Sequence, residues 1–150
     1  MKKLLSLLII LLLFGSFSNL TAFENPSSAV RYKIMIDFGT DMTDPLFSDY
    51  SLREYIKERM HQRLPDYYYT DGEDANVVIS IGLLTISGEN FNYKYISALN
   101  MLVTSYLHNP MNKMVLLTED REEAAKSKIR DYIDRWILEY SALIYKSYSR

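Results

Sequence analysis

The side chains that could do chemistry in this 150-residue chain fall into four sets. Asp37, Asp41 and Asp44 offer carboxylates at short spacing. Calcium takes about six to eight oxygen ligands, and this segment lacks the D-x-[DN]-x-[DN]-G-x₅-E loop that supplies them. Asp and Thr in such a stretch serve turns and caps. The two histidines, His61 and His108, stand far apart, and a zinc site needs about three or four ligands. There is no G-x-S-x-G elbow and no H-E-x-x-H helix. Glu119-Asp120 and Glu122-Glu123 are paired acids, but glycosidase chemistry needs two carboxylates held across a cleft, one with a raised pKa. These four cluster where a helix is expected to start, and the helix dipole favours acids there. No catalytic residue, metal ligand or cofactor site is therefore expected.

The fourth set is aromatic. The chain has 13 Tyr, a side chain favoured at protein interfaces because a large apolar ring ends in a polar tip. Tyr67, Tyr68 and Tyr69 are consecutive, so an extended backbone turns at least one of them outward. Tyr93 and Tyr95 share a strand face, and Tyr145 and Tyr148 fall in the last turn of the final helical pattern. Packing at the edge of a small core accounts for most of these rings. Tyr67, Tyr68 and Tyr69 are the expected interaction segment.

Composition narrows the classes further. With no Cys, disulfide frameworks, cysteine zinc sites, thiol nucleophiles and lipid-modified cysteines are all excluded. A net charge of -2 and dispersed basic residues argue against a nucleic-acid binder, which carries a basic patch. Residues 1–22 read as a secretory signal peptide: Lys2 and Lys3, an apolar run from Leu4 to Phe14 broken by Ser6, then small residues. That run is about half of the roughly 20 residues a bilayer-spanning helix needs. Ser16-Phe17-Ser18 and Leu20-Thr21-Ala22 both fit a cleavage site, and cleavage after Ala22 is preferred. Removing Lys2 and Lys3 leaves 15 basic against 19 acidic residues, a mature net charge near -4. The expected product is periplasmic or secreted, unlipidated, and without an integral membrane span. It is large enough to fold on its core alone.

The elements that must position these side chains follow from periodicity. Residues 23–30 form a flexible leader. Arg31 to Phe38 alternates as a half-buried strand. Gly39 to Asp49 is a loop. Ser51-Leu52-Arg53-Glu54 has the capping-box form, and Leu52, Tyr55, Ile56, Met60 and Leu64 recur at helical spacing, predicting a helix over 50–64 that Pro65 stops. A short extended piece at Tyr67–Tyr69 and a turn follow. Val77 to Ile86 is apolar on both faces, as in a central strand. Phe91 to Tyr106 is strand-like but exceeds the usual length, so a bulge near Ser97-Ala98 is expected. Met114 to Leu117 is a short strand. Asp120 and Glu123 form a capping-box variant, after which Ala125, Ile129, Ile133, Trp136, Ile137, Tyr140 and Ile144 predict a helix to the C-terminus.

The expected fold of 31–150 is a single α+β domain. A mixed or mostly antiparallel four-stranded sheet is covered by two helices in the order β-α-β-β-β-α. The first crossover is expected to join parallel strands with right-handed sense, and the later strands to form a meander. This element order with an export signal resembles small α+β modules of bacterial envelope proteins, which bind other envelope components. The resemblance is one of fold, and fold does not fix function. The expectation is an exported non-catalytic protein of the bacterial envelope that binds another envelope or secreted protein. The alternatives are an inhibitor or immunity protein acting on a secreted toxin or hydrolase, and an enzyme whose site is assembled from distant residues.

Overall fold

The computed structural model describes residues 29–39, 44–88, 93–106 and 108–148. The expected signal peptide, most of the expected leader, Asp41 and Phe91 lie outside them. Strand β1 (Val30–Asp37) alternates as its sequence demands, with Tyr32 and Ile34 buried and Arg31 and Met35 exposed. It ends where the Asp37 carboxylate accepts a hydrogen bond from the Gly39 N–H at 2.8 Å. Gly39 adopts φ +76°, a conformation glycine enters without a Cβ clash.

Helix α1 (Asp49–Arg63) buries Leu52, Ile56 and Met60. Its capping box lies one turn earlier than the Ser51–Glu54 pattern predicts. The Ser48 hydroxyl accepts from the Ser51 N–H at 3.1 Å, and the Ser51 hydroxyl accepts from the Ser48 N–H at 3.1 Å. A hydroxyl thus does the work usually given to the N3 carboxylate or amide. The Leu64 N–H donates to Met60 O at 2.7 Å and closes the helix ahead of Pro65.

Three strands carry the rest of the sheet: β3 (Val77–Ser87), β4 (Tyr95–Ser105) and β5 (Met111–Glu119). A fifth, β2 (Tyr67–Tyr69), pairs parallel to β1 with Val30 opposite Tyr67. The sheet is therefore five-stranded and mixed, in the order β2-β1-β3-β4-β5, not four-stranded. The additional strand is the segment read as a short extended piece; its three residues are too few to show a period. As expected, β1 runs parallel to β3, and β3, β4 and β5 form an antiparallel meander.

The expected bulge is absent. Pairing of β3 with β4 is continuous from Val77↔Ser105 to Ser87↔Tyr95. Ser97, the polar break that suggested a bulge, is buried, and its hydroxyl bonds Thr85 Oγ1 at 2.9 Å across the strands. Two hydroxyls satisfy each other, so the ladder need not deform. Strand β5 is also longer than the expected Met114–Leu117. Its outward positions hold Met114 and Leu116 instead of polar residues, which hides the alternation.

Helix α2 (Glu122–Tyr148) opens with the Ala125 N–H donating to Arg121 O at 3.0 Å. The helix thus begins just beyond the predicted Asp120 cap, with Glu122 and Glu123 in its first turn. Its stripe Ala125, Ile129, Ile133, Trp136, Ile137, Tyr140 and Ile144 is buried as predicted. Both helices lie on one face of the sheet, where Ile79, Ile81, Leu83, Leu99, Met101 and Val103 complete the core. The helices meet through Asp134, which accepts from Tyr55 Oη at 2.8 Å and pairs with Arg59 at 3.2 Å. No described helix is long and apolar enough to cross a membrane.

Candidate functional site

The tyrosine segment does not present three rings alike. Alternation along β2 sends Tyr67 and Tyr69 to the helix side and Tyr68 to the other. Tyr67 is buried in the core, Tyr69 is half-buried, and Tyr68 is 56% exposed. Tyr69 is fixed from several sides. Its ring meets Tyr32 edge-on at 5.7 Å, and the Lys57 ammonium lies 4.1 Å above it. Its hydroxyl bonds Asp71 and accepts from Arg53 at 3.4 Å. Arg53 in turn grips Asp49 with two bonds of 3.0 Å and donates to Ile34 O. Burial pushes the Tyr32 phenol up to about 12, with Tyr69 and Glu54 adding to it. Burial and then the Asp71 bond raise Tyr69.

Tyr68 sits opposite Arg31 in the register. Arg31 forms an ion pair with Asp74, which holds that carboxyl below its ordinary range. Asn76 clamps the same strand, accepting from the Arg31 N–H at 3.0 Å and donating to Arg31 O at 2.8 Å. These residues border the face of the sheet that carries no described helix.

That bare face is the least conventional surface among the described residues. Alternation places Val78, Ser80, Gly82, Leu84 and Ile86 of β3 on it. Ile96, Ala98, Asn100, Leu102 and Thr104 of β4 join them, and so do Asn112, Met114, Leu116 and Thr118 of β5. None of these residues is charged. Met35, Leu84, Ile86, Met114 and Leu116 are between 48% and 77% exposed. An antiparallel sheet with one wet face ordinarily puts polar side chains there. A shallow depression of about 210 Å³ lies at the middle of this face, between Asp37, Gly82, Leu84, Asn100 and Met114. The apolarity of β3 on both sides predicts a central strand, and β3 does lie between β1 and β4. Among the described residues only one face of the sheet carries helices, so the outer residues form an exposed aliphatic surface. The available signal was the lack of charge at alternate positions of three successive strands.

The other chemistry-bearing residues serve the fold. Asp37 holds its turn, and Asp44 accepts from the Leu46 and Phe47 N–H groups at 2.8 and 3.3 Å. Glu119 pairs with Lys128, and Glu122 and Glu123 pair with Lys126. His61 is exposed near the end of α1, and His108 Nε2 lies 3.0 Å from the Tyr140 hydroxyl. The two histidines are not brought together with each other or with a carboxylate. Among the described residues, no three His, Cys, Asp or Glu side chains group as metal ligands would. Tyr93 is exposed and Tyr95 buried, while Tyr145 donates to Arg63 O at 3.0 Å.

No protein-family model and no curated protein matches the sequence. Among solved structures, a hypothetical protein from Chlamydia trachomatis is 11% identical with a TM-score of 0.40, over 60% of this chain and 71% of that one. An uncharacterized protein is 9% identical with a TM-score of 0.42, over 79% and 90%. The rare lipoprotein B of Shewanella oneidensis is 12% identical with a TM-score of 0.35, over 79% and 99%.

Proposed function

We propose that this chain is an exported, non-catalytic protein of the bacterial envelope whose bare sheet face binds another envelope or secreted protein. The observation that carries the reading is the uncharged, aliphatic outer face of β3, β4 and β5. Soluble monomers rarely expose contiguous apolar patches beyond a few hundred Å², and larger ones mark interaction sites. Met35, Leu84, Ile86, Met114 and Leu116 all project from this face and are each about half exposed or more. Tyr68 and Arg31 lie at its margin, and aromatic and Arg side chains are favoured in protein contacts. Within the tyrosine segment the contact falls to Tyr68, because Tyr67 and Tyr69 are held inward. Export rests on the sequence of residues 1–22.

The test is affinity capture from the native envelope, comparing the wild-type chain with Leu84→Asp and Tyr68→Ser. Both changes lie outside the core. The expected result is a protein retained by the wild type and lost from folded Leu84→Asp, with weaker retention by Tyr68→Ser. Equal capture by all three folded proteins overturns the assignment. So does binding of the wild type to lipid vesicles that Leu84→Asp abolishes while capture is unchanged.

A further inference from the structure

Strand β5 is an edge of the sheet, and no backbone bond from another described segment caps its outer side. It is nine residues long and contains neither Pro nor Gly. Unprotected edges of this kind are templates for strand addition. Its only charges are Lys113 and Glu119, three residues either side of Leu116. Each is tied to α2: Lys113 Nζ lies 2.8 Å from Glu139, and Lys128 Nζ lies 2.5 Å from Glu119. Lys128 and Glu139 therefore mark the flank of α2 turned toward the open edge. One turn beyond Glu139 on that flank, Leu143 is 54% exposed.

We infer that this edge pairs with a second copy of the same chain, β5 running antiparallel to β5 about a two-fold axis through Leu116. In that register Leu116 meets Leu116 of the second copy, Val115 meets Leu117, and Met114 meets Thr118. Lys113 falls opposite Glu119 at both ends. The helix layer obeys the same symmetry. Because Glu139 sits over Lys113 and Lys128 over Glu119, the axis brings Glu139 of one copy beside Lys128 of the other. Each end of the interface then holds four alternating charges, two ion pairs from different copies. Slipping the strands by one step either way separates these opposites, so charge selects the register.

Size agrees. Nine residues at roughly 3.3 Å make an edge of about 30 Å, and the helix layer stands about 10 Å above the sheet. A standard interface takes about 800 Å² from each partner, which an edge of that length and two layers' depth can supply. Helices lying over the outer strands of two joined sheets come to within about 10 Å of each other, the ordinary packing distance. The product is a ten-stranded sheet whose bare face runs on unbroken, so this inference stands apart from the binding role of that face.

Sedimentation of the purified protein over a concentration series tests it. Two variants sharpen the test. Glu119→Lys with Glu139→Lys makes all four positions basic, and Lys113→Glu with Lys128→Glu makes them all acidic. The wild type is expected to dimerise, more weakly in high salt. Each variant alone is expected to associate roughly a hundredfold less tightly, as like charges across an interface demand. Their mixture is expected to form a heterodimer. A wild type that stays monomeric overturns the inference whether or not the variants fold. A wild-type dimer that both folded variants match in affinity also overturns it.

Discussion

Tyr67, Tyr68 and Tyr69 show how one residue type takes three roles from backbone alternation alone. Tyr67 fills the core, so Tyr67→Ser removes a buried ring, and urea denaturation should show a loss of about 3–5 kcal/mol, as for large aromatic truncations. Tyr68→Ser removes an exposed ring and should stay within about 0.5 kcal/mol of wild type. Reversed magnitudes would mean that β2 pairs in the other register. Tyr32 gives a pH prediction. Its phenol ionises near 10 when free and about 12 in the fold, so the folded state favours the neutral form. The stability this confers is full below pH 10 and is lost as pH rises toward 12, because the unfolded chain ionises first. Tyr32→Phe should shift alkaline unfolding, followed by circular dichroism, to higher pH. An unchanged alkaline midpoint would count against burial of this phenol. The run of tyrosines was visible in the sequence, but their division into core and surface was not. Three residues cannot show which way a strand faces until the partner register, Val30 opposite Tyr67, is known.

Elements were legible where period and length agreed. Helix α2 follows its apolar stripe from Ala125 to Ile144, over about five turns, and β1 follows strict alternation. The misread elements share a physical cause, a side chain doing work its type does not announce. The Ser51 hydroxyl completes a cap normally closed by Glu or Gln, so the capping box of α1 is read a turn late although the predicted start falls within one residue of Asp49. Ser97 finds its partner in Thr85 on another strand, which local sequence cannot show. Strand β5 carries aliphatic side chains outward, so its alternation is masked. The cap can be tested directly. Ser48→Ala should cost about 1 kcal/mol, the usual worth of an N-cap hydroxyl, whereas Glu54→Ala, whose exposed carboxylate pairs with half-buried Lys57, should cost under about 0.5 kcal/mol. Thermal melts of the two variants separate Ser48 from Ser51 as the true helix start.

The described molecule is the single pair of layers that the element order predicts, a sheet covered by two helices. Antiparallel sheets manage with one covered face because the other is polar, yet the outer side of β3, β4 and β5 carries neither a described helix nor a charge. The exposed aliphatic surface was therefore recorded in the sequence only as an omission, the lack of charge at alternate positions of three strands. It becomes visible once register shows that Leu84, Ala98 and Leu116 lie side by side. This asymmetry predicts how stability is distributed. Leu99 and Leu84 are the same residue type on adjacent strands, one fully buried and the other 48% exposed. Leu99→Ala should cost about 2–5 kcal/mol, with the spread set by how far the cavity collapses. Leu84→Ala should cost well under half as much, because much of its surface is already in water and its loss leaves no cavity. Urea titrations of the isolated protein measure both. A comparable penalty at the two positions would mean that the outer face is covered within the protein itself, and the open surface on which partner binding rests would not exist. If the predicted asymmetry holds, adding the true partner should raise the wild-type midpoint and leave that of Leu84→Asp unmoved, since a ligand stabilises only the state it binds.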